Sequence, residues 1–185
     1  LQALGWNSAF SGQRTYNGVA ILSREPATDV VAGIPGFDDE QRRVLAASLG
    51  SLRVIDVYVP NGQTVGSDKF AYKLRWFDAL REYVAAELTR HPHLVVLGDF
   101  NVAPEDRDVH DPKAWEGSVH VSPPERAALQ ALLGTGLADC FRLFEQPEKS
   151  YSWWDYRMMA FRRNAGLRID LILASNALAQ KCGAC

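Results

Sequence analysis

The chain of 185 residues is long enough for one domain with a substantial core. Its 47% hydrophobic and 23% charged composition is that of an ordinary globular protein, and a net charge of −2 provides no global basic field. No apolar run approaches a membrane span, no signal-peptide pattern is visible, and three cysteines, an odd number, fit a reducing cytoplasm better than a disulfide framework.

In chain order, apolar and β-branched runs predict strands at 18–23, 30–31 and 44–49. A strand at 52–59 follows across Gly50-Ser51, as in a hairpin. After the loop 60–67, an amphipathic helix is predicted over 68–90, its buried stripe marked by Phe70, Leu74, Phe77, Val84 and Leu88. Ser67 or Asp68 caps it and His91-Pro92 closes it. A strand at 94–98 comes next, then an irregular loop to about residue 121. Ser122-Pro123-Pro124-Glu125 is a capping-box signature for a second helix, which Gly134 and Gly136 end. A helical turn is expected near 139–144, with strands at 151–154 and 168–174. Hairpins mixed with helical crossovers make this an α/β chain, and no repeat or linker divides it, so one domain spans 1–185. Cys182 and Cys185 form a C-x-x-C without further zinc ligands or a strand–helix redox context, and the spacing is read as coincidence.

Four segments put polar groups where apolar ones are expected. In LVVLGDFN, residues 94–101, Gly98 lets the backbone bend, and extended geometry would aim Asp99 and Asn101 at one spot. Such a pair suits a hard cation or a proton transfer, and equally an Asx turn closing a strand. Tyr58 ends the strand in VIDVYVPNG, where an aromatic can simply pack on a sheet rim. Asp170 lies among Ile169, Leu171, Ile172 and Leu173, where a buried carboxylate needs a partner. It could be a structural acid satisfied by backbone or Arg168, the orienter of a catalytic histidine, or a metal ligand. The stretch 152–168 interleaves Arg157, Arg162, Arg163 and Arg168 with Trp153, Trp154, Tyr156 and Phe161. That mixture grips phosphates and stacks on bases or sugars, although a solvated basic loop over an aromatic core has the same composition. Arg42 and Arg43 could add phosphate contacts from FDDEQRRV.

YNGVAILSR, QRRV, VIDVYVPNG, LGDFNVAPEDRDV, SWWDYR and GLRIDLILAS occur in that order, and together they resemble the exodeoxyribonuclease III family of the endonuclease/exonuclease/phosphatase superfamily. The resemblance implies a four-layer α/β sandwich, two mixed β-sheets face to face and flanked by helices. It implies a cytoplasmic, monomeric DNA-repair hydrolase that uses magnesium, with manganese as a substitute. Such an enzyme acts on double-stranded DNA as a 3′→5′ exonuclease and cleaves 5′ to abasic sites. Residue by residue, Tyr58 matches the tyrosine on the scissile phosphate, Asp99 the proton donor beside the metal, and Asn101 the asparagine that stabilises the transition state. The metal is expected at Asp99 and Asn101, and Asp170 matches the acid that orients the catalytic histidine. Trp153 and Leu167 match positions lining a pocket for an extrahelical abasic sugar. Tyr16 and Arg42 resemble DNA-contacting positions, and Arg157 belongs to the phosphate-gripping patch.

The family's early Asn-containing strand, its metal-binding Glu segment and its closing Ser-Asp-His have no match, and His91, His93, His110 and His120 lie in other contexts. The chain is therefore expected to lack segments at both ends and, taken alone, to be impaired. Two rivals share the motifs. One is a superfamily phosphodiesterase or phosphatase with a non-DNA substrate, and the other a DNA-binding domain without catalysis.

Overall fold

The computed structural model describes residues 1–185. Its strands are β1 (Asn7–Gly12), β2 (Gly18–Ser23), β3 (Thr28–Ala32), β4 (Val44–Leu49), β5 (Leu52–Tyr58), β6 (Leu94–Asp99), β7 (Leu137–Asp139), β8 (Trp153–Trp154), β9 (Gly166–Leu167) and β10 (Asp170–Ser175). The helices are α1 (Asp68–Arg90), α2 (Pro112–Trp115), α3 (Pro123–Leu133) and α4 (Asn176–Ala179). A six-stranded mixed sheet runs β3-β4-β5-β6-β10-β7, parallel only between β5 and β6, which the α1 crossover joins.

Helices α1 and α3 cover one face of this sheet. Trp76, Phe77, Leu80 and Val84 of α1 meet Ile55, Val57, Val96, Leu171 and Leu173 in the main core. The other face is covered over β4 and β5 by the antiparallel hairpin β1–β2, through Val19 and Ile21 on Leu45, Ala47 and Val54. The mixed α/β sandwich is thus present, with its second sheet formed by this hairpin alone. Beyond the hairpin, the same face leaves Leu97 half-buried and Ile172 46% exposed.

The helix predicted over 68–90 has those bounds, and Ser67 Oγ accepts from the Phe70 amide at 3.2 Å as its cap. Its buried stripe differs from the hydrophobic reading. Leu74 and Leu88 are half-buried, whereas Lys73 and Glu87 are fully enclosed. Each charge is there because a partner from another element meets it: Glu125 for Lys73, Arg53 for Glu87. The irregular loop after β6 contains the short helix α2, and the strand expected at 168–174 is β10, which begins at Asp170, with the separate short strand β9 just before it. The expected strand 151–154 shrinks to β8, which pairs with β9 in a two-stranded ribbon. The strand β1 was not foreseen, because Asn, Ser and Gly dominate it and only its alternating exposure marks it.

Candidate active site

The central strands end together. Tyr58 is the last residue of β5, Asp99 the last of β6 and Asp170 the first of β10. The register sets Tyr58 beside Asp99, and Asp99 opposite Asp170. Paired residues on neighbouring strands share a face, so a phenol and two carboxylates form a row across three strands. Gly98 makes the row possible. Its φ is +135°, and a Cβ there would lie 2.0 Å from the Val57 carbonyl oxygen. The backbone of β6 presses against β5 immediately before Asp99.

Asn101 reaches the row by a turn rather than by strand alternation. Its φ is +50°, a left-handed value that Asn tolerates. Its backbone N–H donates to Asp99 Oδ1 at 2.8 Å, which is an Asx turn. Its side-chain Nδ2 donates to Asp99 Oδ2 at 3.1 Å and to the Val59 carbonyl at 2.9 Å. The turn and the functional pairing are one structure.

Beneath Asn101 lies a buried polar cluster that the sequence reading missed. Asn61 Nδ2 donates to Asn101 Oδ1 at 3.3 Å. Lys73 Nζ donates to the carbonyls of Asn101 at 2.7 Å and Asn61 at 3.1 Å, and to Glu125 Oε1 at 2.5 Å. His120, which is buried, donates from Nδ1 to the Asn101 carbonyl at 2.7 Å, and its Nε2 lies 3.4 Å from Asn61 Nδ2. That pattern assigns a neutral Nδ1–H imidazole, and burial pushes the His120 pKa down in the same sense. Glu125, the expected capping glutamate of α3, also accepts from the His120 amide at 3.0 Å and from Ser122 Oγ at 2.5 Å. The one available signal was the Lys in a buried stripe.

Burial raises the Asp99 pKa to about 6, and the charge of Asp170 adds to the rise; the Asn101 N–H, Lys73 and Arg43 oppose it. The two carboxylates are a hard-oxygen donor set, and a divalent cation would relieve the repulsion that Asp170 adds at Asp99. No group of three or more His, Cys, Asp or Glu side chains is arranged to hold a metal. The donor set therefore fits a cation such as Mg²⁺ that keeps most of its water, and not a closed site. Asn101 turns its amide nitrogen toward Asp99 and its oxygen toward Asn61.

Asp170 departs from the reading as a buried acid. It is exposed at the open strand end, and Arg168 pairs instead with Asp108 and Asp139, each at 2.7 Å. Arg168 thus leaves the basic patch for a structural network. Arg157 is exposed and pairs with Asp155 at 2.9 Å, while Arg162 and Arg163 are exposed. Trp153 is half-buried and pairs in register with Leu167, which is fully enclosed beside Val109 and Ile169. Tyr16 is 75% exposed in the turn of the hairpin β1–β2. That turn is tied to the segment before β4, where the Arg42 amide donates to Gln13 Oε1 at 2.9 Å and Asn17 Nδ2 to Gln41 Oε1 at 3.1 Å. Arg43 lies over the Tyr58 ring at 4.6 Å and donates to the Tyr58 carbonyl at 3.0 Å. Tyr16 and Arg42 therefore flank the Tyr58 end of the row through neighbouring loops.

A family model described as the Endonuclease/Exonuclease/phosphatase family matches residues 2–185. The chain is 35% identical to exodeoxyribonuclease III of Haemophilus influenzae over 192 residues, spanning 97% of this chain and 72% of that one. It is 34% identical to an exodeoxyribonuclease of Bacillus subtilis over 178 residues, spanning 95% of this chain and 69% of that one. Among solved structures, a 3′ phosphatase from Neisseria bound to a product DNA hairpin superposes with a TM-score of 0.95 at 50% identity, spanning 97% of this chain and 70% of that one. An AP endonuclease from Archaeoglobus fulgidus superposes with a TM-score of 0.91 at 36% identity, spanning 97% of this chain and 70% of that one. The row of strand-end groups sits on the fold these relatives share, and with the match across nearly its whole length, the chain belongs to the endonuclease/exonuclease/phosphatase family.

Proposed function

We propose that this is a DNA-repair nuclease of the cytoplasm that hydrolyses phosphate esters of duplex DNA, at 3′ ends and 5′ to abasic sites, with Mg²⁺ or Mn²⁺ bound. The observation that carries the reading is the row of Tyr58, Asp99 and Asp170, with Asn101 folded back onto Asp99. Relatives named as exodeoxyribonucleases, an AP endonuclease and a 3′ phosphatase on DNA support the substrate class. A divalent cation held at Asp99 and Asp170 would neutralise charge on the phosphate and on the departing oxygen; Asn101, expected as a second ligand, instead turns its amide nitrogen toward Asp99 and its oxygen toward Asn61.

The chain's own groups divide the remaining work. Asp99, at the centre of the row and within reach of the reacting oxygens, is the group assigned to proton transfer as the proton donor. The Tyr58 hydroxyl is the donor for a non-bridging phosphate oxygen, and Asn101, whose two Nδ2 protons go to Val59 and Asp99, serves the transition state by holding the Asp99 carboxylate in place. Asp170 is open to receive and orient an imidazole, and no histidine within this chain bonds to it. Trp153, Tyr16, Arg42 and Arg157 contact the nucleic acid, whereas Leu167, expected to line a pocket with Trp153, is fully enclosed and only backs Trp153 through their register pairing. A lipid or inositol phosphodiester would have little use for the exposed aromatic and arginine loop at 156–163.

The test is cleavage of duplexes carrying a 3′ phosphate or an abasic site by the whole protein, with and without Mg²⁺. Metal-dependent release of phosphate or nicked product is expected. Asp99→Asn is expected to lower kcat by about 10³-fold while leaving the Kd for DNA unchanged, because it removes proton transfer and keeps the shape. Retained turnover in the variant, or no cleavage of either duplex by the wild type, would refute the reading.

A further inference from the structure

We propose that Lys73 is a positioning residue for the phosphate-ester reaction, clamping the loops after β5 and β6 so that Asn101 is presented to Asp99 in one fixed orientation. The inference rests on the functional reading above and deepens it.

A lysine with no exposed side chain, near the start of a hydrophobic stripe, is costly unless its charge and all its protons are met. Here they are met completely. The ammonium has three protons to give and three acceptors to take them: the Asn61 carbonyl, the Asn101 carbonyl and Glu125 Oε1. Two of those acceptors are backbone atoms of the two loops that leave the ends of β5 and β6. One charged group thus binds together the exits of the strands that carry Tyr58 and Asp99.

The orientation of the Asn101 amide follows from that clamp. The Asn101 carbonyl accepts from both Lys73 and His120, which holds the left-handed backbone in place. The Asn61 carbonyl is held by the same ammonium, and its side chain fixes Asn101 Oδ1. With the oxygen so engaged, Asn101 Nδ2 must face Val59 and Asp99. Glu125 sits on the far side of the ammonium, bonded to Ser122 and His120, and supplies the neutralising charge.

The other buried pair on α1 provides an internal comparison. Arg53 bonds Glu87 at 2.6 Å, the Asp29 carbonyl at 2.7 Å and Ser48 Oγ at 3.2 Å. It joins the other end of the helix to the sheet and touches no residue of the row. If buried pairs act only on folding, the two should be equivalent in catalysis.

The experiment compares Lys73→Met/Glu125→Gln with Arg53→Met/Glu87→Gln in the whole protein, reading Tm, kcat and KM on a 3′-phosphate duplex. The first is expected to lose about 100-fold in kcat with KM changed by no more than about threefold, as for a misplaced reacting geometry. The second is expected to keep kcat within about threefold whatever its Tm. Lys73→Gln with Glu125 intact, which removes the ammonium bridge between the two carbonyls but keeps a polar group in the site, is expected to lose at least about 10-fold in kcat and carries the test if the first double variant does not fold. Equal kcat losses in the two double variants, or kcat within about threefold of the wild type in either Lys73 variant, would overturn the proposal. A crystal structure of a folded Lys73 variant separates this from a failed functional reading. Residue 101 should leave the left-handed region there, and an unchanged Asn61–Asn101–Asp99 arrangement would overturn the clamp even if DNA were not the substrate.

Discussion

Gly98 is the residue on which the alignment of Tyr58 and Asp99 turns. Any side chain there meets the Val57 carbonyl oxygen at 2.0 Å from its Cβ, and the φ of +135° is one that L-residues rarely adopt. Gly98→Ala must therefore push β6 away from β5 or twist the backbone just where Asp99 leaves the sheet. The strain and lost packing should destabilise the fold by about 2–4 kcal/mol. Chemical denaturation of the variant measures this, and stability within error of the wild type would mean that the strand ends can part freely. Asn101 tolerates its own left-handed backbone differently, since its side chain and N–H both bond to Asp99.

Between elements, the contact of the hairpin β1–β2 with the main sheet contains one ionisable bond. Asp56 Oδ2, on the hairpin-facing side of β5, accepts from the Ala20 amide of β2 at 2.9 Å. Burial raises the Asp56 pKa above its usual value, more than its bonds to the Ala20 and Val57 amides lower it. For an acid whose folded pKa is raised, the native state holds its proton longer than the unfolded chain does. The wild type is therefore free of this penalty at low pH and loses stability as pH rises from about 3.9, the unfolded value, through the raised folded one. Asp56→Asn keeps an acceptor and cannot ionise. Its Tm should exceed that of the wild type at pH 7 and converge with it near pH 3, in melts recorded across that range. A constant gap over all pH values would show that the difference comes from packing and not from ionisation.

The same scale shows what local sequence can express. Helix α1 was legible to the residue because its start signal, Ser67, and its stop signal, His91-Pro92, are both local. Glu125 was legible as a cap but not as the counterion of Lys73, because that pairing joins residues far apart in the chain. Arg168 was counted with the basic loop because its neighbours are basic, while its partners Asp108 and Asp139 come from elsewhere. Asp170 was placed in the core by its apolar neighbours, although the strand only begins there and its face is open. The row itself depends on the strand order β5-β6-β10, which no periodicity reveals; only the ordered motifs pointed to it.

Across the whole molecule, a net charge of −2 coexists with a local run of exposed arginines, because the arginines are sorted by location. Arg53 and Arg168 are spent inside, against Glu87, Asp108 and Asp139. Arg42, Arg157, Arg162 and Arg163 remain outside, and the last three share a loop with Tyr156, Met158, Met159 and Phe161, which are 93%, 79%, 63% and 71% exposed. Exposed apolar groups can meet bases or sugars, while the guanidinium groups meet phosphates and release counterions. Arg157 is already engaged with Asp155, so Arg162 and Arg163 should carry most of that loop's salt-dependent binding. Duplex binding by Arg162→Gln/Arg163→Gln, followed by fluorescence anisotropy over a salt series, should show log K falling with log salt less steeply by about 1.8, or 0.9 for each lost phosphate contact. Phe161→Ala should weaken binding by a similar factor at every salt concentration and leave the slope alone, since stacking releases no ions. An unchanged slope in the double arginine variant would place the phosphate track elsewhere on the molecule, on the rim formed by Tyr16 and Arg42.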